Sequence, residues 1–175
     1  ALPISEVARE AAMLRNQGME KRYANEYVGL NNRMTDIHAS IGRVQLTKLA
    51  GWTKTRQENA AFLSKNITEA VTPVVPESYV HVYHQYTIRL EGATGEERDR
   101  FVTALKEEHQ VGSGVYYPIP NHRLPSLAPY APGLELPNTE KVAAECVSLP
   151  VHPSLSQADL ERIVAAVNAC AKAGA

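Results

Sequence analysis

Apolar residues recur along this chain with two different periods, and the change of period divides it into elements. From Ser5 to Gln17 an Ala-, Glu- and Arg-rich run predicts a helix, with Ser5 as N-cap and Gly18 as stop. Gly18 to Met34 is polar, carrying Asn25, Gly29, Asn31 and Asn32, and reads as a loop. Thr35 or Asp36 then caps a long helix in which Ile37, Ile41, Val44, Trp52, Phe62, Leu63 and Ile67 fall at helical spacings. Gly51 weakens its middle, so one helix or two segments are both open. Such length in a small chain suggests an arm that packs against something besides its own domain.

Pro73 and Pro76 end the helical stretch. From Val80 to Leu90 the pattern becomes alternation: Val80, Val82, Tyr86, Ile88 and Leu90 share one parity, while His81, Gln85, Thr87 and Arg89 take the other. That period, with β-branched and aromatic residues, predicts a half-buried strand. Gly92 and Gly95 lead into a helix from Glu96 to His109 with Phe101, Val102 and Leu105 as its apolar stripe, and Val111 to Tyr117 reads as a second strand. Pro118 to Pro137 is a proline-rich irregular loop, a length that is usually functional or disordered inside a compact domain. Helices over Thr139–Val147 and Ser156–Lys172 close the chain, the second opened by Ser156-x-x-Asp159, a capping box with Asp in place of Glu. There is no internal repeat and no low-complexity tract.

Composition narrows the function classes. The 175 residues carry 18 Lys+Arg against 19 Asp+Glu, a net charge of −1, which supplies no broad basic surface for nucleic acid. No apolar run is long enough to span a membrane, and the N-terminus lacks the basic start and apolar core of a signal peptide. Two cysteines, Cys146 and Cys170, make no disulfide framework and show no zinc spacing, so a cytoplasmic protein with reduced thiols is expected. The chain starts at Ala1 on residues that look like a helix entry, as a processed protein or a piece of a longer one would.

Few residue constellations carry chemistry. Six histidines form no HExxH or Cys/His cluster, and a strand would put His81 and His84 on opposite faces, so no metal site is expected. No G-x-S-x-G elbow is present. Gly112-Ser113-Gly114 follows a helix and precedes a strand, which is the wrong order for a phosphate loop; it reads as a strand with close backbone approach. Two segments are denser. Gly29-Leu30-Asn31-Asn32-Arg33-Met34-Thr35-Asp36 puts amides, a guanidinium and a helix start together, which suits a phosphate or carboxylate, or equally a helix cap beside a surface arginine. Tyr116-Tyr117-Pro118-Ile119-Pro120-Asn121-His122 offers two phenols and an imidazole on a stiffened loop, either to a polar ligand or as half-buried tyrosines with wet hydroxyls.

In order along the chain, these segments resemble the DegT/DnrJ/StrS-type sugar aminotransferases of the fold-type I pyridoxal-phosphate superfamily. The likeness runs from Ala11 to about Val167 and rests on five matches: Met13-Leu14-Arg15-Asn16-Gln17-Gly18-Met19, Arg33-Met34-Thr35-Asp36-Ile37-His38-Ala39-Ser40-Ile41-Gly42, His81-Val82-Tyr83-His84-Gln85-Tyr86, Tyr116-Tyr117-Pro118-Ile119-Pro120 and Leu149-Pro150-Val151-His152-Pro153. The resemblance implies pyridoxal phosphate as cofactor, glutamate as usual amino donor and a keto group on a nucleotide-linked sugar as acceptor. It implies a homodimer in which the G-[aromatic]-N-x-R segment enters the neighbouring active site. There Asn31 would bond the cofactor phosphate and Arg33 would bind substrate. Tyr116 and Tyr117 would line the sugar side, and His122 stands where the family often has a histidine; Leu30 replaces the expected aromatic.

The resemblance also implies an α/β (α+β) fold: an interdomain helical segment over residues 1–67, then a small C-terminal domain over 68–175 with a short antiparallel sheet covered by helices on one side. The family's N-terminal half, which carries the cofactor-binding Lys, the Asp that pairs with the pyridine nitrogen and the phosphate loop, would precede Ala1. None of Lys21, Lys48, Lys54, Lys65, Lys106, Lys141 and Lys172 sits in the family's Lys motif. The chain is therefore expected to supply contacts rather than covalent chemistry, with that half as its partner, and to be inactive alone. The competing expectation is a stand-alone, non-catalytic domain that dimerises or binds a partner.

Overall fold

The computed structural model describes residues 4–173. Its elements are α1 (Ile4–Leu14), β1 (Met19–Lys21), β2 (Ala24–Asn25), α2 (Asp36–Asn66), β3 (Tyr86–Arg89), α3 (Gly95–Glu107), α4 (Pro137–Glu145), β4 (Cys146–Leu149) and α5 (Gln157–Ala173). They gather into two compact units, Ala1–Lys48 and Leu49–Ala175, with the border inside α2.

In the first unit the polar stretch after α1 is not a plain loop. It holds the β1–β2 hairpin, paired at Met19↔Asn25 and Lys21↔Ala24. Ser5 lies within α1 instead of capping it, since a cap preference of about 1 kcal/mol is easily overridden. The helix stops at Leu14, short of Gln17, because the backbone beyond it is drawn into another pairing. The Asn32 N–H donates to the Arg15 carbonyl (2.9 Å), Leu30 N–H to Leu14 (2.7 Å) and Gln17 N–H to Leu30 (2.9 Å), around a bridge between Asn16 and Asn31. Two glycines permit this approach. A Cβ on Gly29 would lie 2.1 Å from the Gly18 nitrogen, and one on Gly18, at φ +75°, would lie 1.8 Å from the Tyr27 carbonyl oxygen.

The α2 helix runs unbroken for 31 residues, so Gly51 does not divide it. One glycine costs about 1 kcal/mol in a helix, too little to end one this long. The Thr35 hydroxyl caps it, accepting from the His38 N–H at 3.3 Å.

The second unit is built around β3 and β4, which pair antiparallel with Tyr86↔Leu149 and Ile88↔Val147 in register. Single bridges extend the ladder on each side, Val71 to Arg89 and Gly114 to Ser148. Tyr86, Ile88, Val147 and Leu149 share one core with Leu63 of α2 and Ile67 just after it, Phe101 and Leu105 of α3, and Leu160, Ile163 and Val167 of α5. The capping boxes of α3 (Thr94 with Glu97) and α5 (Ser156 with Asp159) both form. Arg98 is buried on α3, donating to the Ala143 carbonyl of α4 and to Asp99.

Three strand expectations are corrected. Residues 80–85 are irregular, so the strand covers only Tyr86–Arg89, and Val80 and Val82 are exposed. Side chains of α2 take the carbonyls that a strand partner would need: Gln57 donates to His81 and Arg56 to Tyr83, which sits at φ +47°. His81 and His84 thus do not stand on a strand. The stretch 111–117 contributes one bridge at Gly114 instead of a strand. The strand that does pair with β3 is Cys146–Leu149, where a helix to Val147 was expected; all four residues are buried, so no alternation marked it.

Candidate functional site

In the first unit, Asn31 and Arg33 come together on the segment pinned to the end of α1. The Arg33 Nε–H donates to Asn31 Oδ1 at 2.8 Å, and both residues are exposed. This bond orients the guanidinium against its neighbour, and the other nitrogens of the pair belong to exposed side chains. Two residues after Arg33, Thr35 caps α2, so an amide, a guanidinium and a helix start lie close together along the chain.

In the second unit, Tyr116, Tyr117 and His122 line one pocket of about 640 Å³. Its opposite wall is α4, through Asn138, Thr139 and Val142, and Cys146 lies at its inner end. Tyr116 and Tyr117 are 55% and 75% exposed, with rings nearly perpendicular at 6.3 Å. Gly114 makes the Tyr116 position possible, since a Cβ there would sit 2.8 Å from the Tyr116 ring. Burial pushes the Cys146 thiol up, which argues against a nucleophilic role for it.

His122 is held more firmly than its loop position suggested. Its side chain is 6% exposed, and its Nε2 lies 2.9 Å from Glu140 Oε1. The same oxygen accepts from Arg123 Nη2 at 2.8 Å and Nε at 3.2 Å. The hydrogen bond to His122, then those from Arg123, pull the Glu140 carboxyl down to about 2. One carboxylate on α4 therefore ties down the loop that forms the other wall of the pocket. Glu140, Arg123, Asn138 and Thr139 did not emerge from the sequence. Asn138, Thr139 and Glu140 stand many residues from Tyr116 with no spacing rule linking them, and Arg123 lies beside His122 with no motif to single it out.

Among the described residues no group of three His, Cys, Asp or Glu side chains could hold a metal ion, and no helix is long and apolar enough to cross a membrane. All seven lysines are exposed. An amine that attacks a carbonyl at neutral pH needs desolvation or a cationic neighbour. No lysine in this chain has the first of these.

Residues 4–168 match the DegT/DnrJ/EryC1/StrS aminotransferase family. A pleiotropic regulatory protein of Geobacillus stearothermophilus is 34% identical over 166 residues, 91% of this chain and 43% of that protein. The dTDP-3-amino-3,6-dideoxy-alpha-D-galactopyranose transaminase of Aneurinibacillus thermoaerophilus is 31% identical, over 94% of this chain and 44% of its own length. Among solved structures, S. venezuelae DesV superposes with a TM-score of 0.85 at 30% identity, covering 95% of this chain and 44% of that one. Bacillus subtilis ntda, solved with bound PMP, superposes at 0.83 and 25% identity, covering 95% and 40%. The chain thus spans less than half the length of the relatives it matches. By sequence over nearly its whole length and by fold, it belongs to the DegT/DnrJ/EryC1/StrS aminotransferase family.

Proposed function

We propose that this chain is the C-terminal part of a pyridoxal-phosphate-dependent aminotransferase acting on a nucleotide-linked keto-sugar, with glutamate as amino donor, in the cytoplasm. Residues 1–67 serve as its interdomain segment and 68–175 as its small domain. The observation that carries the reading is the Asn31–Arg33 pair, oriented by its own 2.8 Å bond on backbone locked to α1, within a chain that matches the family from residue 4 to 168.

The residues present fit part of what the cofactor needs. The Asn31 amide nitrogen is an exposed donor suited to the phosphate, and Arg33 suits an anionic group of the substrate. Tyr116 and Tyr117 offer hydroxyls and ring faces to a sugar, and His122 with Glu140 keeps their loop closed on α4. The lysines do not fit covalent attachment, so that group is assigned to the N-terminal half. When bound, pyridoxal phosphate supplies the electron sink for amino transfer; this chain binds and orients. The exposed apolar stripe of α2 supports a homodimer, with Asn31 and Arg33 serving the partner's site.

The test is the full-length source enzyme, incubated with pyridoxal phosphate, glutamate and a nucleotide-linked keto-sugar. Formation of 2-oxoglutarate in step with an aminated nucleotide sugar is the expected result. An intact source protein no heavier than this chain would instead support the non-catalytic, partner-binding reading, which the exposed lysines favour.

A further inference from the structure

Beyond tying its loop to α4, the bond between His122 and Glu140 selects which ring nitrogen carries a proton. The Glu140 carboxyl is held ionised by its partners and can only accept, so the His122 Nε2, 2.9 Å away, is the donor. Arg123 supplies the positive charge that balances the carboxylate, 2.8 Å from the same oxygen, so this bond needs no more than a neutral ring. A neutral ring protonated at Nε2 keeps its lone pair on Nδ1. Among the described residues Nδ1 has no partner. It is not sealed either, since among them the Ser113 hydroxyl is the one buried side-chain nitrogen or oxygen left unbonded. The open space that His122 borders is the pocket it shares with Tyr116, Tyr117, Asn138 and Thr139. Those phenol, amide and hydroxyl groups can each donate; a bare Nδ1 can only accept.

We propose that Glu140, its charge balanced by Arg123, is a positioning residue that locks His122 in the Nε2–H tautomer, so that Nδ1 accepts from a hydroxyl of the ligand in this pocket. A site built to bond one hydroxyl discriminates strongly against an analogue that lacks it, because the site's own polar group is then left unpaired. The identity of that ligand, a nucleotide-linked keto-sugar, rests on the aminotransferase reading; the tautomer rests on this chain's geometry alone. His122 thereby recognises a sugar hydroxyl, and Glu140, which does not line the pocket, sets that recognition from behind it.

Long-range proton–nitrogen NMR spectra of this chain at neutral pH read the tautomer directly. His122 should be protonated at Nε2 and bare at Nδ1. Glu140→Gln, whose amide oxygen still accepts, should keep that pattern, and Glu140→Ala should give a mixture of tautomers. In the full-length source enzyme Glu140→Ala should raise KM for the nucleotide-linked keto-sugar about tenfold. His122→Gln, which can still reach Glu140 but has no Nδ1, should do the same, while Glu140→Gln stays within about threefold. The rise should fall on KM for the sugar and not on KM for glutamate, which carries no hydroxyl. One singly deoxygenated analogue of the sugar should bind the unaltered enzyme about tenfold more weakly than the sugar itself, and His122→Gln should not tell the two apart. Protected Gly114 and Ser148 amides show that the pocket wall is intact; should Glu140→Ala lose that protection, His122→Gln and the unaltered chain's tautomer decide. A proton on Nδ1 of the unaltered chain, a tautomer indifferent to Glu140→Ala in an intact wall, or an unmoved sugar KM in His122→Gln would each overturn the assignment. The stated tautomer in an enzyme that does not transaminate keeps Glu140 as a positioning residue and refutes the aminotransferase reading instead.

Discussion

Glu140 shows how one side chain can set the shape of a pocket it does not line. Its Oε1 receives both His122 and Arg123, which spans the gap between α4 and the loop that carries Tyr116 and Tyr117. These partners hold the carboxyl at about 2, below its ordinary 4.5, so the folded state binds the proton less readily than the unfolded one. The sign follows from linkage: Glu140 contributes its full stabilisation above about pH 4.5, and the contribution drains away as pH falls through that value toward 2. Glu140→Gln should therefore flatten the acid limb of the stability curve between those values while changing little in the fold. Urea unfolding of both proteins from pH 6 downward checks this, and parallel curves would show that the carboxylate does not act as described. In the Gln variant His122 should also exchange its ring protons with solvent faster, since the carboxylate that holds its buried ring no longer carries charge.

At the scale of elements, Glu145 joins α4 to the sheet. It is 1% exposed, accepting from Arg89 on β3 at 2.6 Å and from the Gly92 N–H at 2.9 Å. Burial alone would raise its carboxyl, but the Gly92 N–H, Arg89 and Lys141 outweigh it and hold the group ionised. Glu145→Ala would strand the Gly92 N–H and leave Arg89 to find water. Breaking a fully buried pair costs about 3–5 kcal/mol, and because Arg89 is a third exposed the loss here should be roughly 2–3 kcal/mol in urea unfolding. Less than about 1 kcal/mol would mean the junction is held by packing alone. This element was also the hardest to read from sequence. The long helices and the Ser156–Asp159 capping box were legible, because their spacing and end residues repeat local rules. Cys146–Leu149 is buried on both faces and offers no alternation, while Val80–Gln85 alternates well yet has its carbonyls taken by Gln57 and Arg56. The anion-suited segment at Asn31 and Arg33 was visible in residue type alone. Glu140 was not, since nothing local connects it to the tyrosines.

For the whole molecule the decisive surface is α2. Ile37, Ile41 and Val44 follow one another at spacings of four and three along one stripe, and they are 74%, 54% and 56% exposed. Burying such a side chain fully stabilises by about 1.5–3 kcal/mol, so a second copy covering the stripe gains several of these terms together. The chain should accordingly self-associate at micromolar concentration in sedimentation velocity, and Ile41→Glu with Val44→Glu should return it to monomer. A monomer from the unaltered chain would remove the support that this face gives to a dimer. Such a dimer would in turn determine where Arg33 acts. If Asn31 and Arg33 serve the partner's site, each active site of the full-length enzyme draws its cofactor lysine and its Arg33 from different chains. Arg33→Ala should then lower kcat/KM roughly tenfold to a hundredfold, the worth of a charge-assisted hydrogen bond of about 1.5–3 kcal/mol. A second variant lacking only the cofactor lysine should be inactive. When the two are mixed and subunits exchange, one site of each mixed dimer carries both defects and the other carries neither, so activity should return on mixing. Exchange without recovery would place Arg33 in its own subunit's site, or return it to the role of a surface arginine beside a helix start.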